Sequence, residues 1–407
     1  MLLDVGMRMD RGILLTMGAA RGYLVNKGNY LMPFGNRIGR VNRNRVLRVW
    51  LLVAAICAAT GGLIARAEAG DDSATSTGSL INPSAIVFNP ASGKVYAVDT
   101  PGGAVYVSDD AAGSMKRVKV GAGPVSIAVD EKNGCAYVAN AGDGTVSVID
   151  GRSDEVVAVV QIGTHPYSIA ADPGLGRIYV TRTYSNSLTV IDDATNHASE
   201  VKAIGADLLA VNPMTHAIYL LAYEGGNVVA LDGASYSKKE ATAGMHGWGV
   251  VVDPETGAVY VLRTHNAEVA VFGNGLALEK RIPVGGTPSA VAFNPRTRTL
   301  YVSNYDDDTL TVIDMKSGTP TATVAVGHHP EAVAVDAERN LVFVANTHGN
   351  SVTVIDGATN KMRSTIAAGK APYALAYNPV SKKLHIAHVG GAPVTTGEFG
   401  GAQQVTH

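Results

Sequence analysis

Two arginines, three histidines and one tryptophan carry much of the chemistry that this 407-residue chain can offer. Arg182 and Arg263 each close an apolar run, RIYVTR and VYVLR. An arginine presents a fixed fork of donors that suits a carboxylate or a phosphate. Eight runs of this type occur, ending at Asp99, Asn140, Arg182, Ala222, Arg263, Asn304, Asn346 and His388, so four of the eight ends are ionisable. His165, His246 and His329 stand just before a second set of runs, and Tyr167, Trp248 and Tyr373 just after their start. Aromatic rings beside Arg and His stack a planar or sugar-like group and hold its anionic end. The expected ligand site is therefore Arg182, Arg263, His165, His246, Tyr167, Trp248, Tyr373, His388, Asp99 and His329. Because the arginines stand where other runs have Asn, the packing of their strands should not depend on them.

Other chemistries are weaker. A zinc ligand must approach to about 2.1 Å, whereas His165, His246 and His329 come from alternate units and start far apart, so no metal site is expected. His265 and His348 should lie in solvent, and Asp306-Asp307-Asp308, without a spaced ligand series, should be a solvated turn. No nucleophile stands beside a base and no compact Glu/His/Asp cluster is visible, so no catalytic residue is assigned. A C-x-x-C-H motif is missing, which excludes covalent c-type haem, and no cofactor is expected. Cys135, in CAYVAN, reads as a small buried hydrophobe.

These residues must be positioned by a repeat. Anchors at Pro90, Glu131, Pro173, Pro213, Pro254, Pro295, Ala337 and Pro379 lie 41, 42, 40, 41, 41, 42 and 42 residues apart. One structural unit is copied eight times. In the unit starting at Pro288, SAVAF, LYVSN, LTVID and TATVAV are Val-, Thr- and Tyr-rich runs separated by turn residues, which predicts four antiparallel strands. Four-stranded sheets at this period pack face to face around a circle, an all-β β-propeller. Within each unit, the loop before the first strand and the loop after the second open on the same face. The Asp residues of the VID strings, Asp150, Asp192, Asp232, Asp314 and Asp356, should cap the following turn. The last unit lacks a clear fourth strand, and TSTGSLINP resembles the fourth-strand phrase ATVAVGHHP. Eight blades are expected, with an N-terminal strand at 70–82 completing the last, and seven as the alternative.

The strings AYVAN, IYVTR, LYVSN and VFVAN, each followed by TVSVID, LTVID or TVIDGATN, resemble the YVTN repeat of the YncE-like propeller family. The likeness covers roughly residues 80–390. It implies a secreted or periplasmic propeller of bacterial or archaeal type, and it implies no particular activity. Such propellers include surface-layer and envelope-binding proteins, and those of lactonases and haem-binding nitrite reductases are similar. A binding or scaffold protein is the first expectation, with a funnel for a small anionic or envelope-derived ligand or a protein partner. A lactone hydrolase is the alternative.

The ends and the charge set the context. Residues 32–69 read as a secretory leader: Arg37, Arg40, Arg43, Arg45 and Arg48, then VWLLVAAICAA, then ARAEAG. That predicts export to the periplasm or beyond, with the membrane touched only through the leader if it stays uncleaved. Met32 is the expected start, 1–31 an extension foreign to the natural chain, 83–392 the propeller and 393–407 a tail. Residues 1–69 hold 10 of the 33 basic and 3 of the 35 acidic residues, which leaves 23 against 32 and a net charge of −9. No nucleic-acid partner fits that balance.

Overall fold

A computed structural model describes residues 85–389 apart from 204, together with 393–395 and a short strand pair. That pair, Met7–Arg8 with Leu14–Leu15, belongs to a separate unit, residues 1–57. The leader expected at 32–69 and the closing strand expected at 70–82 lie outside the described residues.

Seven four-stranded antiparallel sheets follow one another along the chain, here blades 1 to 7, at 86–119, 124–161, 166–202, 208–242, 247–283, 288–325 and 330–367. Their strands lie in sequence order from first to fourth. An eighth sheet has three strands, Pro372–Asn378, Lys383–His388 and the two-residue Val394–Thr395. The four-stranded blades thus number seven, the alternative count, and not eight. Among the described residues beyond Val389, the last unit contributes that short strand, paired with His385 and Ile386.

First strands pack on first strands around the ring, and that of the eighth sheet lies between those of blades 7 and 1. One register position of the second strand explains how neighbouring sheets stick together. It holds Tyr96, Tyr137, Tyr179, Tyr219, Tyr260, Tyr301 and Phe343, each no more than 5% exposed. Burying such a ring contributes about 1.5–3 kcal/mol. The eighth sheet has His385 there, 0% exposed, and its Nε2 lies 3.0 Å from Asp110 Oδ2 of blade 1. Asn378 Nδ2 donates to the same oxygen at 2.7 Å, so the seam between last and first sheet is polar. Burial lowers the basicity of His385, and although burial also opposes ionisation of Asp110, its donors hold that carboxyl below the ordinary value.

Turn chemistry follows the repeat. Asp150, Asp192, Asp232, Asp314 and Asp356 accept N–H bonds from the turns that follow them, as expected, and those donors depress their pKa values. Cys135 is half-buried, and burial pushes its thiol up. Among the described residues no helix is long and apolar enough to cross a membrane.

Candidate functional site

The end of the second strand is a structural position first. Asn140, Asn304 and Asn346 are fully buried there. Each donates to two hydroxyls of the third strand: Thr145 and Ser147, Thr309 and Thr311, Ser351 and Thr353, at 2.9–3.1 Å. Asn304 and Asn346 also accept the N–H of Gly285 and Gly327 just ahead of their own blades. The Asn ties three elements of a blade together.

Where Arg or Asp replaces the Asn, the blade supplies an opposite charge. Arg182 pairs with Glu200 of the fourth strand and bonds Ser187 Oγ at 3.0 Å. Arg263, 8% exposed, pairs with Glu268 of the third strand and bonds Asn266 Oδ1 at 2.8 Å, while Arg281 also reaches Glu268 at 2.6 Å. Asp99 pairs with Arg117 of the fourth strand at 3.3 Å. Arg182 and Arg263 are thus both paired within their own blades. Arg182 and Glu200 do line a shallow cavity of about 270 Å³ with Gln161, Gly163 and Thr189, against the outer strands.

The histidines are held by backbone strain. In the turns approaching six of the first strands, Gly123, His165, His246, Thr287, His329 and Ala371 all have φ between +47° and +64°. That geometry lets the carbonyl accept the N–H that follows the second strand, as His165 does from Thr183 at 2.9 Å and His329 from Thr347 at 3.0 Å. Glycine is the relaxed choice, and blade 2 uses it. Blades 3, 5 and 7 instead accept the cost of a side chain at positive φ.

Each of these side chains meets aromatic partners from the exit loops after second strands. His165 lies edge-on to Tyr184 at 6.3 Å. Between blades 4 and 5, Tyr223 meets both His246 and Trp248 edge-on at 5.3 and 5.4 Å, and His265 lies 4.1 Å from His246. His246 Nδ1 is buried and finds no hydrogen-bond partner among the described residues. Burial, with the charge of Arg263 adding to it, lowers the pKa of His246. Among the expected residues, this cleft brings His246 and Trp248 together, with Arg263 near by.

Blades 6 and 7 repeat that cleft with different chemistry. Tyr305 stacks on His329 at 4.1 Å and 9°, and His329 Nδ1 lies 2.5 Å from His348 Nδ1. His328 Nδ1 is 2.9 Å from Asp308 Oδ2, and the His329 N–H donates to Asp308 Oδ1 at 2.8 Å. Burial opposes ionisation of Asp308, but these donors outweigh it and keep its carboxyl low. His329 is less basic than usual because of burial and the neighbouring imidazoles His328 and His348. His265 and His348 are exposed as expected, yet both sit in ring clusters. The acidic loop is not a merely solvated turn: Asp306 and Asp307 are bonded to Thr287 and Gly286, and Asp308 to the histidines.

A column on the innermost strands completes the picture. The residue after the first-strand Pro, and its equivalents, reads Val125, Tyr167, Asp207, Trp248, Ser289, Glu331 and Tyr373. Tyr373 donates to the Val98 carbonyl of blade 1 at 3.3 Å, and burial suppresses ionisation of both Tyr167 and Tyr373. Asp207 accepts the Tyr223 N–H at 3.0 Å, and burial raises its pKa. Glu331 is 5% exposed, neither carboxyl oxygen finds a hydrogen-bond partner among the described residues, and burial pushes it up to about 7. The Thr347 hydroxyl moderates that rise but gives its proton to the Pro372 carbonyl at 2.7 Å. His388 is half-buried, with Nδ1 3.4 Å from the Val389 carbonyl. Sequence reasoning missed Glu331, Asp207 and His328 and set Asp308 aside as part of a solvated turn; comparing this column through every unit would have shown the first two.

The family model described as a YNCE-like beta-propeller matches residues 287–390. This part of the chain is similar to the YncE-like β-propellers. Many solved structures resemble most of the chain, among them two enzymes. Hydrazine synthase of Kuenenia stuttgartiensis superposes with a TM-score of 0.56 at 21% identity, over 72% of this chain and 99% of that one. The dihydro-heme d1 dehydrogenase NirN, solved in complex with DHE, gives 0.63 at 14% identity, over 82% and 84%. At such identities the chain shares their fold, and fold alone fixes no activity. Among curated proteins nothing matches.

Proposed function

We propose that the chain is an exported binding protein: a rigid propeller that holds a small or envelope-derived ligand on the face carrying the approach turns and exit loops. The observation that carries this is His246. It stands at φ +64° with its buried Nδ1 unpartnered among the described residues, between Tyr223, Trp248 and His265. A buried ring nitrogen calls for a hydrogen-bonding partner, and two aromatic rings beside it favour a flat one. The ligand is therefore a small planar group with a polar edge. Export rests on the leader pattern at 32–69, and a partner other than nucleic acid on the net charge of −9 that remains beyond residue 69.

The test uses what the protein retains. A native mass spectrum of protein purified from its own envelope fraction should show a bound small molecule. That molecule should quench or shift Trp248 fluorescence on rebinding, and His246→Asn, which keeps the positive φ, should weaken it at least tenfold. Wild-type affinity in the variant would refute the cleft as the site.

Glu331 supports a second reading. A carboxyl titrating near 7 serves as a general acid or base at neutral pH, which fits a hydrolase acting on lactones. Turnover of a lactone panel that vanishes in Glu331→Gln would establish it.

The ring-closing strand at 70–82 belongs to the same proposal, since the third strand of the eighth sheet otherwise presents an open edge. Deleting 71–82 should lower the melting temperature, and an unchanged value would leave the ring closed by the polar Asp110 seam alone.

A further inference from the structure

The clefts of blades 5 and 7 differ in one respect that the ligand reading does not use. Around Asp308, polar atoms that attract cations converge from three loops. The donor atoms of Asp308, His328 and His329 all lie within 4.8 Å of one another, and His348 adds a ring nitrogen 2.5 Å from that of His329. Asp308 comes from the exit loop of blade 6, His328 and His329 from the turn approaching blade 7, and His348 from the exit loop of blade 7.

We propose that Asp308, His328, His329 and His348 form a binding site for a divalent first-row transition ion of the zinc class. Two ring nitrogens that face each other at 2.5 Å repel through their lone pairs unless a proton or a cation lies between them. One proton satisfies one such pair. Asp308, His328 and His329 converge on one point and His348 joins them through His329, which exceeds that; with His348 turned in, the four match the donors that zinc takes in fourfold coordination. Calcium and magnesium prefer oxygen throughout, so an imidazole-rich set selects against them.

Bonds of about 2.1 Å space tetrahedral ligands about 3.4 Å apart, so the side chains need only modest rotation to close. His328 and His348 are exposed and have room to turn. The supporting contacts are present: Tyr305 stacks on His329, and its hydroxyl lies 3.3 Å from His348 Nδ1. Asp308 is fixed by the His329 N–H at 2.8 Å. The ion would pin the exit loops of two adjacent blades to one turn. This site does not rest on the ligand reading of the blade 5 cleft.

Titrating untagged, full-chain protein with zinc against a chromophoric chelator should reveal one tight equivalent per chain and a higher melting temperature. Asp308→Asn and His329→Asn should each weaken the binding at least tenfold; Asn is chosen at 329 because it tolerates positive φ. His265→Ala, at the equivalent place in blade 5, should leave the affinity unchanged. Cobalt in place of zinc reports the ligand set directly, through visible absorption that His328→Ala should diminish. His328 is exposed, so this variant carries the test even if another variant fails to fold. No tight equivalent in the wild type, or wild-type affinity in the Asp308, His328 and His329 variants alike, overturns the proposal, as does a loss in His265→Ala as large as that in His329→Asn.

Discussion

Blade 5 and blade 7 present the same frame with opposite contents. Both place a histidine at positive φ, His246 and His329, a tyrosine from the preceding exit loop, Tyr223 and Tyr305, and a second histidine from their own exit loop, His265 and His348. The contents then diverge at matched positions. Blade 5 has Trp248 on the inner strand, Met245 in the turn and Gly226 in the neighbouring loop, where blade 7 has Glu331, His328 and Asp308. The second strands end in Arg263 and Asn346. One backbone thus serves as an aromatic cleft in one place and as a polar cluster in the other. In a repeat fold, chemistry resides in a few departures that the scaffold tolerates.

The largest expected effect lies beneath the cleft of blade 5. Glu268 bonds both Arg263 and Arg281, and Arg263 is 8% exposed. Glu268→Gln leaves a buried guanidinium without its counter-charge, a change that costs about 3 kcal/mol. In blade 7, Ser351→Ala leaves Asn346 Nδ2 bonded to Thr353 at 2.9 Å, and the cost should be nearer 1 kcal/mol. Urea denaturation of both variants checks the contrast. Equal losses would mean that the ion pair does no more than the hydroxyl.

Glu331 gives an effect of similar size and opposite sign. Its folded pKa of about 7 lies above the ordinary glutamate value near 4.3. The protonated form is the one that the fold accommodates, so the full stability is present below about pH 4 and is lost as the pH rises toward 7. Glu331→Gln removes that loss and should stabilise the protein by on the order of 3 kcal/mol at pH 8, with little change at pH 4. Thermal melts at the two pH values decide it. A variant no more stable at pH 8 than the wild type would show that Glu331 ionises without penalty, and the acid–base reading would fall with it.

Most of the fold was legible because a propeller is written as a period. Spacings of 40 to 42 residues and an aromatic at one second-strand position define the blades without any long-range information. Closure was harder, since the last unit breaks the pattern with His385 and its partner Asp110 lies 275 residues away. The site was legible only where a residue broke the repeat visibly, as His246 and Trp248 do. Arg182 and Arg263 also broke it, but their pairing was not legible, because their partners, Glu200 and Glu268, sit on neighbouring strands of the same blade. A hint was available: Asp99 with Arg117 and Arg182 with Glu200 are opposite charges at the same separation of 18. Asp308 and His328 stayed hidden for another reason. They meet across a junction between blades, and the geometry of such junctions is set by packing and not by the period.

The smallest expected effect sharpens the comparison most. Met245 is 53% exposed and matches His328 in register, so Met245→His should change stability by less than about 0.5 kcal/mol. It gives blade 5 three imidazoles, at 245, 246 and 265, but no carboxylate. Gly226, the match of Asp308, cannot supply one: its φ is +65°, and a Cβ there would lie 2.3 Å from the Gly244 carbonyl carbon. Met245→His should therefore gain a second zinc equivalent at least tenfold weaker than the first, since three neutral ligands lack the charge that Asp308 contributes in blade 7. Competition with the same chelator separates the outcomes. A second equivalent as tight as the first would make Asp308 dispensable, and a variant that gains none would show that His246 and His265 do not converge on an ion as His329 and His348 do.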